Sequence, residues 1–455
     1  MSSTRPLAAL GLLAVVVTAC APVAGTTASS PAPSSPPVTS PSSPPATTTT
    51  TATTATPTPE TAITTSIEPS GPPAEPAGPP AGIDVPPPAP NPALDQPLRD
   101  AAWANEVPTA AALIAAGADV NAKDETQQSA YLIATSEGYL DLLELTLAHG
   151  ADLASLDSYQ GTGLIRAGER GHADIVGRLL RAGIEVNHVN RPGWTALDEA
   201  IVYGDGGPTY VDTARALVAG GADVDRVASD GRTPLQNAQR QGQDAVTATL
   251  DRAGQAPPAD SAAALLAAAD AGDADGVAVA LRAGAPIETR DEHGRTPLLL
   301  AALADRVDTA RLLVVLGADP DAQDDRWDSP WLVTGVTGSV AMLDTLLPAH
   351  PDLTLRNRFG GVSVIPASER GHVDYVRRVV TTGIDVNHVN DPGWTALLEA
   401  IVYGDGSALY QQIVDILLAA GADPRIADAE GITPLQHARS RGQTEIADRL
   451  AAAGG

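Results

Sequence analysis

The sequence holds a single cysteine, Cys20, so no intrachain disulfide can form even in an oxidising compartment. It holds one lysine, Lys123, against 27 arginines, and its net charge is -27 at pH 7. That acidity argues against a general nucleic-acid binder, whose affinity rests on neutralising phosphates. Aromatic residues make up only 3% of the chain, so wherever two or three of them gather is informative. The one N-terminal apolar run, Leu7 to Val17, is too short to span a bilayer comfortably as a permanent helix. No HExxH, GxSxG, phosphate loop, GxGxxG after a strand or metal-binding cysteine pair occurs. The chain is therefore expected to be non-catalytic, with no metal and no cofactor.

What is present is repetition. Val186 to Gly206, VNHVNRPGWTALDEAIVYGDG, returns at Val386 to Gly406 as VNHVNDPGWTALLEAIVYGDG, with only Arg191/Asp391 and Asp198/Leu398 changed. An offset of 200 also aligns Gly171-His172 with Gly371-His372 and Thr233-Pro234-Leu235-Gln236 with Thr433-Pro434-Leu435-Gln436. The folded part is read as an internal duplication. A shorter period runs inside each copy. Glycines fall at 117, 150, 183, 221 and 254, then at 284, 317, 383, 421 and 454, with His350 in the vacant place. Most intervals are 33 residues, two are 38, and the junction is 30.

A 33-residue period with TPL, GH and GAD landmarks resembles the ankyrin repeat. The closest segments are Gly294-Arg295-Thr296-Pro297-Leu298 running to Gly317-Ala318-Asp319, and Gly431-Ile432-Thr433-Pro434-Leu435 running to Gly454. The resemblance implies an all-α solenoid of about eleven helix-turn-helix repeats carrying hairpin fingers, in which each unit buries its apolar face against its neighbours. Residues 94-254 form one block, 255-261 a junction and 262-455 a second block. The blocks are expected either to continue as one stack with a notch or to meet at an angle.

Local chemistry supports helix pairs. Thr233 can cap a helix whose first position is Pro234, where a missing N–H costs nothing. Leu235, Ala238, Val246 and Leu250 supply an apolar face, and Gly254 is placed to end the second helix in a left-handed conformation. Two units carry atypical fingers, at Gln127 to Tyr131 and Trp327 to Trp331, where distortion is expected. The 38-residue units are expected to lengthen the turn between their helices after Gly204 and Gly404. His172, His372, His188 and His388 fall at repeat landmarks and are read as structural. The acidic run Asp319, Asp321, Asp324, Asp325 and Asp328 lacks the glycine and terminal glutamate of a helix-loop-helix calcium site, and reads as a solvated finger.

The N-terminus has its own logic. Residues 1-19 carry Arg5, the apolar run and small residues, the layout of a secretory signal. Val17-Thr18-Ala19-Cys20 resembles the lipobox of bacterial lipoproteins, which implies that Cys20 is acylated and becomes the mature N-terminus. The protein is then expected to be extracytoplasmic, held to the outer face of the cell membrane by lipid alone. Residues 20-93 are rich in Ser, Thr, Pro and Ala, cannot bury a core, and read as a disordered tether. Abundant alanine with almost no lysine suggests a GC-rich bacterial genome.

The ankyrin resemblance also implies where partners bind. Side chains flanking the finger glycine and those just before the GH turn face the concave side. Those positions are Arg191, Trp194, Tyr203, Trp394, Tyr403, Tyr159, Arg170, Arg232, Arg240, Arg295, Phe359 and Arg370. Trp, Tyr and Arg dominate interface energetics, so a protein partner is expected, and the arginines, by making the face locally positive, point to one with an acidic surface. A second reading makes Trp194 and Trp394 simple stiffeners of the stack. The alternative function is a lipoprotein binding a cell-wall glycan or small ligand, for which an aromatic pocket near Ala256 to Asp260 would be required.

Overall fold

A computed structural model describes residues 89–455. The segment read as a signal sequence, Cys20 and nearly all of the segment read as a tether lie outside the described residues. At the start of the described residues the Asn91 amide donates to the Gly117 carbonyl at 2.7 Å, and a 3-10 turn spans Pro92–Leu94.

Eleven helix pairs follow. The first run contains α1 (Asp95–Trp103), α2 (Val107–Ala115), α3 (Ala130–Glu137), α4 (Leu140–Ala148), α5 (Gly163–Arg170), α6 (Ala173–Arg181), α7 (Ala196–Tyr203), α8 (Pro208–Ala219), α9 (Pro234–Gln241) and α10 (Asp244–Ala253). The second contains α11 (Ser261–Ala271), α12 (Ala274–Arg282), α13 (Pro297–Leu303), α14 (Val307–Val315), α15 (Pro330–Thr337), α16 (Val340–Leu346), α17 (Val364–Glu369), α18 (Val373–Val379), α19 (Ala396–Val402), α20 (Ala408–Ala419), α21 (Pro434–Ser440) and α22 (Thr444–Ala452). Among the described residues there is no strand, and no helix is long and apolar enough to cross a membrane. Within each run odd-numbered helices pack on odd, even on even, and each odd helix on its own even partner.

Side-chain chemistry at each start explains why these short helices form. Ser129, Thr162, Thr195, Thr233, Thr296, Ser329, Thr395 and Thr433 each accept the backbone N–H three residues on. In Thr195/Asp198, Thr233/Gln236 and Thr433/Gln436 the later side chain reaches back to the cap amide, so two orphan donors are satisfied together. Position 362 holds valine where position 162 holds threonine, and α17 lacks a side-chain cap and is short.

The fingers are tight turns, and the atypical ones are not distorted. Asp124 and Gln128 close the second unit's finger with the same amide-to-carbonyl bond, 3.0 Å, that Asn190 and Trp194 use in a regular one. The difference lies in the backbone. Gln127, Gln160 and Trp327 occupy left-handed φ of 65°, 60° and 63°, a place taken elsewhere by glycines such as Gly193 and Gly294. Gly254, in contrast to the expectation, has φ -77° and its amide continues the helix ladder to Leu250. No finger follows it, so the chain has no need of a left-handed reversal there. The 38-residue units also depart from expectation in part: the turn after α7 lengthens to Gly204–Gly207, but α8 itself grows to 12 residues against 9 for α6.

At the junction the second run turns back on the first. Helix α12 packs on α8 and α10, and α14 packs on α6 and α8. The even-numbered helix layers of the two runs therefore face each other across a seam. Arg215 on α8 bonds Asp275 on α12 at 2.7 Å, Thr249 donates to the same carboxylate at 2.7 Å, and Arg311 on α14 reaches Asp212 at 3.2 Å. Arg282 donates to the Ala222 carbonyl from across the same seam. Approach is closest at Gly177, where a Cβ would fall 2.2 Å from the Val315 carbonyl oxygen. With both even layers occupied, the fingers and odd helices of each run line its other side.

Candidate partner-binding face

On the face made by fingers and odd helices, the two near-identical segments build the same small structure twice. The Asn190 side chain accepts the Trp194 amide at 2.9 Å and donates to Glu199 Oε1 at 2.6 Å. Asn390 does the same with Trp394 at 2.7 Å and Glu399 at 3.0 Å. This ties each finger to the helix that follows it. Burial pushes both carboxyls up to about 7, aided by repulsion from Glu169 and Glu369 respectively and opposed by the asparagine bonds. In both, Oε2 is buried with no hydrogen-bond partner.

The tryptophans rest half-buried against tyrosines. Trp194 meets Tyr203 edge-on with ring centroids 5.7 Å apart, and Trp394 meets Tyr403 at 5.4 Å. The Trp194 indole N–H is buried and unpaired. Tyr203 and Tyr403 are 60% and 59% exposed, with Tyr159 at 58% and Phe359 at 53%. A tyrosine and its neighbour in the next finger therefore leave aromatic area open on each run, joined by the backbone bond from the Arg191 amide to the Tyr159 carbonyl, 2.8 Å, and from Asp391 to Phe359, 2.9 Å.

The arginines divide into two groups. Arg232 is paired with Asp230 at 3.3 Å, Arg295 with Asp291 at 2.6 Å, and Arg170 with Glu137 at 3.8 Å. Arg191, Arg240 and Arg370 are exposed and have no acidic partner among the described residues. Only this second group leaves uncompensated positive charge on the face. Phe359 has a guanidinium of its own, with Arg358 lying 4.7 Å above its ring and paired to Asp328 at 3.3 Å.

Other titratable groups serve structure. His172 Nε2 bonds the Ser136 carbonyl at 3.1 Å and His372 bonds that of Val336 at 3.1 Å, while His188 and His388 bond the previous finger at Gln160 and Gly360, 2.8 and 2.6 Å away. These are links between successive units. Asp319, Asp321 and Asp324 accept backbone amides of Asp321, Asp352 and Arg326, which holds the acidic run in turns. Sequence reasoning did not single out the cavity of about 550 Å³ between the fingers and odd helices of the second run, lined by Asn357, Pro366, Glu369, Glu399 and Tyr403 among others.

Stacked helix pairs with projecting turns and one open aromatic face define a helical-repeat solenoid scaffold. The chain belongs to the ankyrin-repeat family. The family profile for three copies of the ankyrin repeat matches residues 98–190, 130–228 and 164–260, and the single-repeat profile matches 293–325 and 392–429. The chain is 44% identical over 190 residues to the putative ankyrin repeat protein YahD of Escherichia coli K12, covering 42% of this chain and 94% of that protein. It is 28% identical over 184 residues to an L-asparaginase of Dirofilaria immitis, but spans only 30% of that enzyme. Among solved structures, an ankyrin repeat domain from Acinetobacter baumannii AYE is 48% identical, with a TM-score of 0.41 over 42% of this chain and 97% of its own. Ankyrin repeats generally mediate protein-protein interaction and are typically non-catalytic.

Proposed function

We propose that this protein captures a protein partner on the face formed by its fingers and odd helices, without catalysis of its own, while anchored to the outer face of the cell membrane by lipid on Cys20. One observation carries the binding reading: in a chain with 3% aromatics, Tyr159, Tyr203, Phe359 and Tyr403 all stand more than half exposed on that face. Exposed rings with a polar tip are strong interface anchors. Arg191, Arg240 and Arg370 add free guanidinium groups, which favour an acidic partner surface. The internal duplication makes the unit bivalent, with avidity available where a target presents two epitopes at the right spacing.

The anchoring reading rests on sequence: the chain's single cysteine sits at the position a lipobox requires. The small-ligand alternative called for an aromatic pocket near residues 256–260. The second-run cavity lies elsewhere, among the fingers, on the surface assigned to the partner.

Photo-crosslinkers placed at Tyr203 and Tyr403 in living cells, followed by mass spectrometry, test the binding face. Recurrent crosslinks to one protein are expected. Crosslinks that are no more frequent than those from the exposed Asp448 on α22 would overturn the assignment. Metabolic labelling with a fatty-acid analogue tests the anchor: label is expected on the wild type and lost in Cys20→Ser, and an unlabelled wild type would end that part of the reading.

A further inference from the structure

The two runs differ just ahead of the stretch in which they are most alike. In the first, Arg166 on α5 reaches across to Asp157 at 3.3 Å and Glu169 at 2.7 Å. Its guanidinium lies near Glu199 and helps to hold that carboxyl down. In the second run the corresponding residues are Pro366, Asn357 and Glu369. Both glutamates of the wall remain, Glu369 and Glu399, but the cation between them is gone and the cavity of about 550 Å³ opens there. Glu369 makes no ion pair among the described residues, and Glu399, only 6% exposed, has an Oε2 with no partner. Two facing carboxyls without a cation repel one another, which is the electrostatic contribution to the high pKa of Glu399.

We infer that the cavity in front of Glu369 and Glu399 receives a guanidinium group, an arginine side chain of the bound partner taking the position that Arg166 fills internally in the first run. The occupant's chemistry is thus written in the chain itself. A planar guanidinium has donors for both carboxylates at once, where a lysine ammonium offers a single point charge. Val333, Val336 and Ile365 on the walls suit the methylene stem of such a side chain, and Phe359 and Tyr403 at the lining suit its flat face. Arg326, Arg358 and Arg370 also line the cavity. Arg358 is engaged by Asp328 and stacked on Phe359. The other two would meet acidic residues flanking the inserted arginine, so the expected epitope is an arginine within an acidic surface. This deepens the proposed partner-binding reading and rests on it.

Isothermal titration calorimetry of the full chain at pH 8 tests the idea with three blocked tripeptides, acetyl-Gly-X-Gly-amide, in which X is arginine, citrulline or aspartate, and with free arginine. The arginine peptide is expected to bind at one site per chain, with the citrulline peptide at least tenfold weaker because it keeps the shape and loses the charge. Preference for the aspartate peptide, or equal binding of citrulline, would overturn the inference. Free arginine binding as well as the blocked peptide would reassign the occupant to a small molecule and sink the partner-side-chain source.

Two variants use each run as the control for the other. Asn357→Asp with Pro366→Arg installs the first run's plug and is expected to abolish arginine-peptide binding. Asp157→Asn with Arg166→Pro unplugs the first run and is expected to raise the stoichiometry from one site to two. Glu399→Gln, which keeps the Asn390 bond, should weaken binding about tenfold whether or not the double variants fold. The groups facing the cavity are Glu399, Glu369, Asp328, Arg326, Arg358, Arg370 and Tyr403; Glu399, pushed up to about 7, gains a proton between pH 8 and pH 6, so binding at pH 6 should be several-fold weaker than at pH 8. Unchanged binding in the plugged variant would refute the site. If cellular crosslinks from Tyr203 and Tyr403 persist while the arginine peptide is refused, the cavity inference alone fails; loss of both removes the binding face itself.

Discussion

Arg215 on α8 and Asp275 on α12, sixty residues apart in sequence, meet at 2.7 Å across the seam where the two runs lie back to back. A linear repeat array couples only neighbours, and long arrays of that kind can lose cooperativity. This contact joins units that are not sequential, so the runs should unfold together.

Urea unfolding followed by circular dichroism is therefore expected to show one transition. Gly177→Ala places a methyl group against the Val315 carbonyl and should cost about 1–3 kcal/mol by overpacking. A larger residue there should split the transition in two. Arg215→Ala removes one partner of Asp275 and leaves Thr249, at a cost of roughly 1 kcal/mol.

Stability should fall as pH rises from 5 to 8. Glu199 and Glu399 keep their protons in the fold up to about 7, against 4.5 for an ordinary glutamate. The folded state thus binds more protons than the unfolded chain in that window. Their contribution is complete below about pH 4.5 and is lost through pH 7, on the order of 2 kcal/mol for each site. Glu199→Gln with Glu399→Gln should flatten the melting profile between pH 5 and 8; a slope as steep as the wild type's would contradict the assignment.

Non-glycine residues at left-handed φ carry a steric cost even where the finger's hydrogen bonds are regular. Replacing Gln127 or Gln160 with glycine should raise stability by about 1 kcal/mol each, since neither site's hydrogen bonds depend on the side chain named. Chemical denaturation of each single variant checks this, and a loss of stability would show that unfolded-state entropy outweighs the relief.

Removing exposed rings should separate binding from folding. Tyr203→Ala with Tyr403→Ala is expected to shift the unfolding midpoint little, because both are mostly solvated, while reducing capture of the native partner by tenfold or more. Trp194→Ala with Trp394→Ala should cost more stability, since those rings are half-buried and brace the tyrosines. Capture that is untouched by the tyrosine pair would move the binding surface elsewhere.

The repeat period, the helix pairs and most of their boundaries were legible in the residues because their causes are local. A threonine cap, a proline at the first helical position and a glycine past the last turn act within a few residues of themselves. The Trp and Tyr positions were read instead from the ankyrin resemblance, which implies that they share one face. The phase could not say which arginines were free: Arg232 and Arg295 are neutralised by aspartates in their own fingers, whereas Arg370 is not.

Two features belong to the tertiary structure alone. The seam depends on Gly177 meeting Val315 and Arg311 meeting Asp212, residues distant along the chain whose identities mark no motif. The cavity arises by subtraction, since Pro366 and Asn357 are unremarkable until the space left by Arg166 and Asp157 is compared in three dimensions. Short-range chemistry made the units, and the packing of surfaces brought together from far apart decided how they sit and where they are open.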